Sequence, residues 1–168
     1  SCKSHKKVLE QSFEVKAPEH LSTIAFGSCN KPGKGDDIWT SIASQNPDLW
    51  IWLGDNIYGD TENMDLFRKK YERQEAVPQY ASFRRAVPIY GIWDDHDYGV
   101  NDGDKFYSKK KESRDLLFDF LDVPSDHPAW KREGAYQSYT FGSKNKKVKL
   151  LLLDGRYFRD PLEADQNS

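Results

Sequence analysis

The chain has 168 residues, with 25 basic against 27 acidic side chains and a formal charge of −2. No overall field therefore favours a nucleic-acid backbone or an anionic membrane, and any recognition of phosphate has to be local. Hydrophobic residues at 37% and aromatics at 14% exclude disorder by composition, and one domain of this size buries about two-thirds of the surface its unfolded form exposes.

The chain opens on Ser1-Cys2 and a polar stretch, without Met. This looks like what remains around a bacterial lipoprotein cleavage site, with Cys2 as a lipid anchor and an extracytoplasmic location (secreted, periplasmic or lipid-anchored); a simple boundary explains it equally well. Cys2 in a polar tail and Cys29 after an apolar run are not expected to pair. Residues 1–20 read as a tail with a weak alternating strand over Val8 to Val15. A short buried strand follows at Thr23 to Gly27, with Cys29 just past its end. Asp36 and Asp37 are placed to cap a helix through about Ser44, and Asn46-Pro47 stops it before the strand Leu49 to Leu53.

After Tyr58 the pattern turns helical, with Met64, Phe67, Tyr71 and Glu75 at threes and fours, and a second short helix is expected at Tyr80 to Arg85. Pro88 opens a strand over Ile89 to Trp93. The charged stretch Asp94 to Lys105 reads as a loop, and Ser108 to Leu121 as a helix with Leu117, Phe118 and Leu121 on one face, ended by Pro124. Ala135 to Phe141 and Val148 to Leu153 read as a hairpin on a buried sheet. The latter is the longest apolar run; it contains a lysine and falls far short of the ~18 residues of a membrane span. Strands alternating with helices indicate an α/β fold, in which ligands sit beyond the carboxyl ends of the strands. The lysine-rich stretches Lys3 to Lys7, Lys109 to Lys111 and Lys144 to Lys149 read as solvated surface.

Three strands end in metal-binding residue types: Cys29 after the first, Asp55 and Tyr58 after the second, and Asp94, Asp95, His96 and Asp97 after the third. Each has a bland alternative. A cysteine after a strand serves as a small buried hydrophobe, Gly54-Asp55-Asn56 serves as a turn, Asp94 to Asp97 as a helix cap or solvated loop, and the surrounding Trp and Tyr residues as core. Their order at the ends of successive strands is what these alternatives do not predict. Thiolate, phenolate, carboxylate and imidazole form an unusual set, and a tyrosinate needs a strongly acidic ion such as ferric iron to remove its proton near neutral pH.

Four segments carry a family resemblance: Phe26-Gly27-Ser28-Cys29-Asn30; Gly54-Asp55-Asn56-Ile57-Tyr58-Gly59-Asp60; Trp93-Asp94-Asp95-His96-Asp97 with Asn101-Asp102; and Leu153-Asp154-Gly155-Arg156 with Arg159-Asp160. Together, over Ile24 to Asp160, they are similar to the alkaline phosphatase D-like family of calcineurin-like metallophosphoesterases. The resemblance implies an αββα sandwich, of which residues 21–168 would be the N-terminal part, a mixed sheet flanked by helices. It also implies a two-metal site of iron and calcium, with zinc, manganese or magnesium as compatible alternatives. By position Cys29, Asp55 and Tyr58 would bind Fe3+, with Asp55 bridging to the second ion, Ca2+, and Asp95 on that ion. His96 would act near the leaving group as the general acid, its ring oriented by Asp94 or Asp97, while Asn56 and Arg156 would touch the phosphate.

The implied reaction is hydrolysis of a phosphate mono- or diester, the phosphatase or phosphodiesterase chemistry of a metal pair. Nothing in the chain supplies the late Gly-Asp-x-His segment that completes such sites, since its histidines are His5, His20, His96 and His127. The missing half would come from a C-terminal part or another copy of the chain; otherwise the chain is a non-catalytic metal- or phosphate-binding fragment or an interaction module. The partner expected is a phosphate ester, with no nucleic-acid scaffold role.

Overall fold

The computed structural model describes residues 19–143 and 145–163; the strand expected over Val8 to Val15, and Cys2, lie outside them. The first strand, β1 (Ile24–Gly27), leads through α1 (Ile38–Ala43) to β2 (Leu49–Leu53). Two helices, α2 (Met64–Glu75) and α3 (Pro78–Ala86), precede β3 (Ile89–Ile92). A four-residue helix α4 (Asp95–Tyr98), the longer α5 (Lys110–Phe120), a 3-10 turn at Pro128–Lys131 and the strands β4 (Gln137–Phe141) and β5 (Val148–Leu152) complete the order. The fold is α/β as expected, with β1-β2-β3 forming a parallel sheet.

The core is built on β2. Its sequence Leu-Trp-Ile-Trp-Leu has no polar alternation because the strand lies between two parallel neighbours, and its first four residues are buried. Trp50 and Trp52, two apart, share a face and meet the edge of Trp39 from α1 at 5.2 Å each. Tyr80 and Phe83 of α3 close around Trp39 at 4.7 and 5.5 Å, and Phe120 of α5 stacks on Tyr71 of α2 at 4.7 Å. The register sets Gly27 and Gly91 on either side of Trp52. A Cβ at Gly27 would lie 2.7 Å from the Trp50 ring and one at Gly91 2.6 Å from the Trp52 Cβ, so both neighbours of the tryptophan strand have to be bare there.

Four expectations are corrected. The first strand is not buried: as the sheet edge it turns Ala25 and Gly27 toward the tryptophans and leaves Ile24 41% and Phe26 65% exposed. Asp37 occupies the cap position of α1 but makes no side-chain cap bond, and the Asp36 carboxylate accepts from the Gly33 amide instead. The stretch after β3 is not loop throughout, since α4 opens at Asp95. The hairpin does not join the parallel sheet into one mixed sheet; β4 and β5 pair antiparallel by themselves and meet the other sheet through Tyr90, packed on Tyr139 and Phe141 at 4.5 and 5.2 Å. Only one face of that pair has a partner among the described residues, so Leu152 is buried while Leu151 is 59% exposed. No helix among the described residues is long and apolar enough to cross a membrane.

Gly91→Ala forces its methyl against Trp52 and should lower stability by about 1–3 kcal/mol, read as a lower denaturant midpoint with an unchanged slope. An unchanged midpoint would show that the two strands can part without loss.

Candidate metal centre

Parallel strands bring their carboxyl ends to one edge, and here the loops after β1 and β2 run side by side. The Cys29 amide donates to the Gly54 carbonyl at 3.4 Å and the Asn30 amide to the Asp55 carbonyl at 2.9 Å. Both Cys29 (φ 58°) and Asp55 (φ 49°) adopt the left-handed conformation, which costs a non-glycine residue about 1–2 kcal/mol. Those hydrogen bonds hold them there.

The third segment joins through Asp97. Its buried carboxylate accepts from the amides of Asp94 at 2.6 Å, Asp55 at 3.3 Å and Asn56 at 3.0 Å. The first bond belongs to a capping box that starts α4, in which the Asp94 side chain accepts from the Asp97 amide in return. Burial pushes the Asp97 carboxyl well up, against the amides that favour its ionised form.

On this frame one donor atom each of Asp55, Asp95 and His96 come within 4.8 Å of one another. The Cys29 thiol donates to the Asp55 carboxylate at 3.6 Å. The Tyr58 ring lies 4.3 Å from the His96 ring, centroid to centroid, and burial, with the neighbouring Asp55 and Cys29, pushes its hydroxyl up to about 12. Cys29, Asp55, Tyr58, Asp95 and His96 therefore gather in one place.

These residues fit a cation. Asp55 Oδ1 is buried and takes no hydrogen bond among the described residues. Burial, then the charges of Asp95 and Asp94, raise the Asp55 carboxyl although His96 opposes them. A positive ion relieves both the orphaned oxygen and the repulsion between carboxylates.

Around the cluster the structure decides partners that the sequence left open. His96 is not oriented by Asp94 or Asp97: its Nδ1 pairs with Asp60 Oδ1 at 2.6 Å. Asp94 is committed to the cap and to Arg156, and Asp97 is turned inward to the amides. Asp60 reaches the imidazole because the loop after β2 folds over α4, with the Gly59 and Asp60 amides donating to the His96 carbonyl at 2.9 and 3.4 Å. Burial alone would lower the imidazole, but the Asp60 hydrogen bond and charge, then Asp55 and Asp95, outweigh it and raise His96 above its ordinary value.

Arg156 contacts Asp94 at 2.5 Å and Asp95 at 3.5 Å, and its side chain is 15% exposed. Its loop is held by Asp154, which accepts from the Arg156 and Tyr157 amides and from the Trp93 indole. Burial raises Asp95, yet the Asp102 amide and the Arg156 charge outweigh it and hold the carboxyl below the usual range. Asn56 is fully buried, with its Nδ2 donating to the Ile92 carbonyl at 3.0 Å, so it ties β2 to β3 rather than facing the open side. Asp60 was visible only as the last residue of Gly54 to Asp60; its pairing with a side chain 36 positions away had no local signal.

Asp97→Ala leaves three amides without an acceptor and should cost about 3 kcal/mol or more, with faster hydrogen exchange at Asp55 and Asn56; a loss under ~1 kcal/mol would remove Asp97 as the tie. In the metal-free protein, NMR titration should place His96 above 6.5, and Asp60→Asn should bring it down. Because the folded value is raised, the pair adds stability that is fully present below pH 6.5 and lost as pH rises through the folded value.

No curated protein and no solved structure matches the chain. A family model described as PhoD-like phosphatase matches residues 24–168. That match takes in all three loops that meet at the cluster, and the chain belongs to the PhoD-like phosphatase family, a family of metal-dependent phosphatases.

Proposed function

We propose that this chain carries the metal-binding and leaving-group side of a binuclear site that hydrolyses phosphate mono- or diesters. The observation that carries the reading is the convergence of Asp55, Asp95 and His96 donors within 4.8 Å, with Cys29 and Tyr58 against them. Cys29, Asp55 and Tyr58 would hold one ion, and Asp55 with Asp95 the second. A phenol pushed up to about 12 becomes a ligand near neutral pH only for a strongly acidic ion, which favours ferric iron at the Tyr58 position and leaves the oxygen-rich Asp55–Asp95 side for calcium. Bound there, the ions supply Lewis-acid polarisation of phosphoryl oxygens.

The chain's own residues do the rest. One imidazole nitrogen of His96 is held by Asp60 at 2.6 Å, which fixes the ring and leaves the other nitrogen to give a proton to the departing alkoxide. The Asp60 hydrogen bond and charge favour the protonated imidazole that this step uses, against the opposing effect of burial. Arg156, braced between Asp94 and Asp95, sets a guanidinium at the rim of the carboxylates, where a phosphate oxygen can share it. Asp94 orients Arg156 rather than His96.

The test is to load the protein with Fe3+ and Ca2+ and follow hydrolysis of bis(p-nitrophenyl) phosphate and p-nitrophenyl phosphate. Tyr58→Phe should abolish the visible phenolate-to-iron band, and a protein that keeps its colour excludes Tyr58 as a ligand. His96→Ala should lower kcat by about 10²-fold or more with little change in metal content. Metal uptake without turnover on either ester would favour the non-catalytic binding reading.

A further inference from the structure

We propose that Asn30 and Gln74 form a clamp that positions Cys29 against Asp55, so that metal affinity depends on a helix residue which touches no ligand. This inference rests on the metal reading above and concerns positioning residues rather than catalytic ones. Cys29 and Asp55 both sit in left-handed backbone at the ends of separate strands, a conformation that relaxes unless its surroundings hold it. Asn30, next to Cys29, grips the neighbouring loop twice: its amide donates to the Asp55 carbonyl at 2.9 Å and its side-chain Nδ2 to the Asn56 carbonyl at 3.2 Å. The same Nδ2 donates to Gln74 Oε1 at 2.6 Å, the shortest of the three contacts.

Gln74 lies on α2, whose start is fixed by the Asn63 side chain capping the Leu66 amide. It is fully buried on the face that carries Phe67 and Tyr71, where helical spacing and apolar neighbours would suit a leucine. Its Nε2 meets no acceptor among the described residues, an arrangement that costs stability relative to an apolar side chain. What the glutamine contributes in return is one oxygen aimed at Asn30. A rigid, packed helix thereby holds the loop one residue away from the thiol, adding to the loop's backbone bonds and to the longer Arg73 contact with the Pro32 carbonyl at 3.4 Å. Losing the clamp lets the β1 loop part from the β2 loop and the Cys29 sulfur drift from Asp55. Loss of such an outer partner typically weakens metal binding by about 10–100-fold.

The probe is Co2+ alone, added to the metal-free chain, because a thiolate-to-cobalt absorption band reports whether Cys29 is bound; Cys29→Ala is the control that should lack it. Gln74→Leu should stay folded by circular dichroism yet bind Co2+ about 10–100-fold more weakly. Asn30→Ala, on a partly exposed loop, also removes the bond to the Asn56 carbonyl and should show a loss at least as large. The double variant should be no worse than Asn30→Ala alone, since that substitution already removes the Gln74 contact. Unchanged affinity in either single variant, or losses that multiply in the double variant, overturns the clamp while leaving the metal site intact. Absence of the thiolate band in the unsubstituted chain overturns the metal reading and the clamp together.

Discussion

One buried carboxylate decides whether three strand ends become a site. Asp97 accepts from Asp94 at the start of α4 and from Asp55 and Asn56 beyond β2, so that the helix bearing Asp95 and His96 is locked to the loop bearing Asp55 and Tyr58. Backbone amides at a strand-to-helix turn have no ladder partner and must find an acceptor or lose a hydrogen bond's worth of free energy in the interior. One carboxylate satisfies several such groups at once, and in doing so fixes the relative depth of the two loops. The β1 loop is added to this pair by backbone bonds from Cys29 and Asn30.

The electrostatics follow from that placement. Asp55, Asp94, Asp95 and the Cys29 sulfur are crowded together because their loops are, and the protein offsets this charge in two places. Arg156 spans Asp94 and Asp95, and Asp95 is further satisfied by the Asp102 amide at 2.9 Å. His96 is drawn toward its charged form by Asp60. Neither device gives Asp55 Oδ1 a hydrogen bond, and that atom stays buried and unpaired among the described residues. An orphaned carboxylate oxygen is therefore left on a member of the cluster that could hold a cation.

Much of this was legible in the chain. The unbroken Leu49 to Leu53 run announces a strand after a crossover helix, the spacing of Phe67 and Tyr71 announces α2, and Cys29, Asp55, Tyr58, Asp95 and His96 stand at strand ends in an order that placed them together. Where the reading went wrong, a local pattern had more than one physical use. The Asp94–Asp97 run reads as a helix cap, a solvated loop or orienting groups for His96; it serves as the cap, and Asp97 also as an amide acceptor. The Val148 to Leu153 run reads as a buried strand, yet burial depends on what packs against it, and Leu151 and Leu153 have no such cover among the described residues. Asn56 stands beside Asp55 in sequence and faces away from the cluster in space, because the turn sends its side chain toward the Ile92 carbonyl.

Most elements, their order and the donor-type side chains at their ends can be read from the chain alone, because periodicity, caps and turns act between residues close in the chain. Four motifs in register also determined the family. Only the tertiary structure decided the partners: His96 with Asp60, Arg156 with Asp94, and Asn30 with Gln74, at separations of 36, 62 and 44 residues. Those choices turn on how far each loop reaches past its strand and which way it bends, a displacement of a few ångströms that changes no local pattern. The site's donor types are thus a property of the sequence, while their arrangement around a single point is a property of the packed sheet edge.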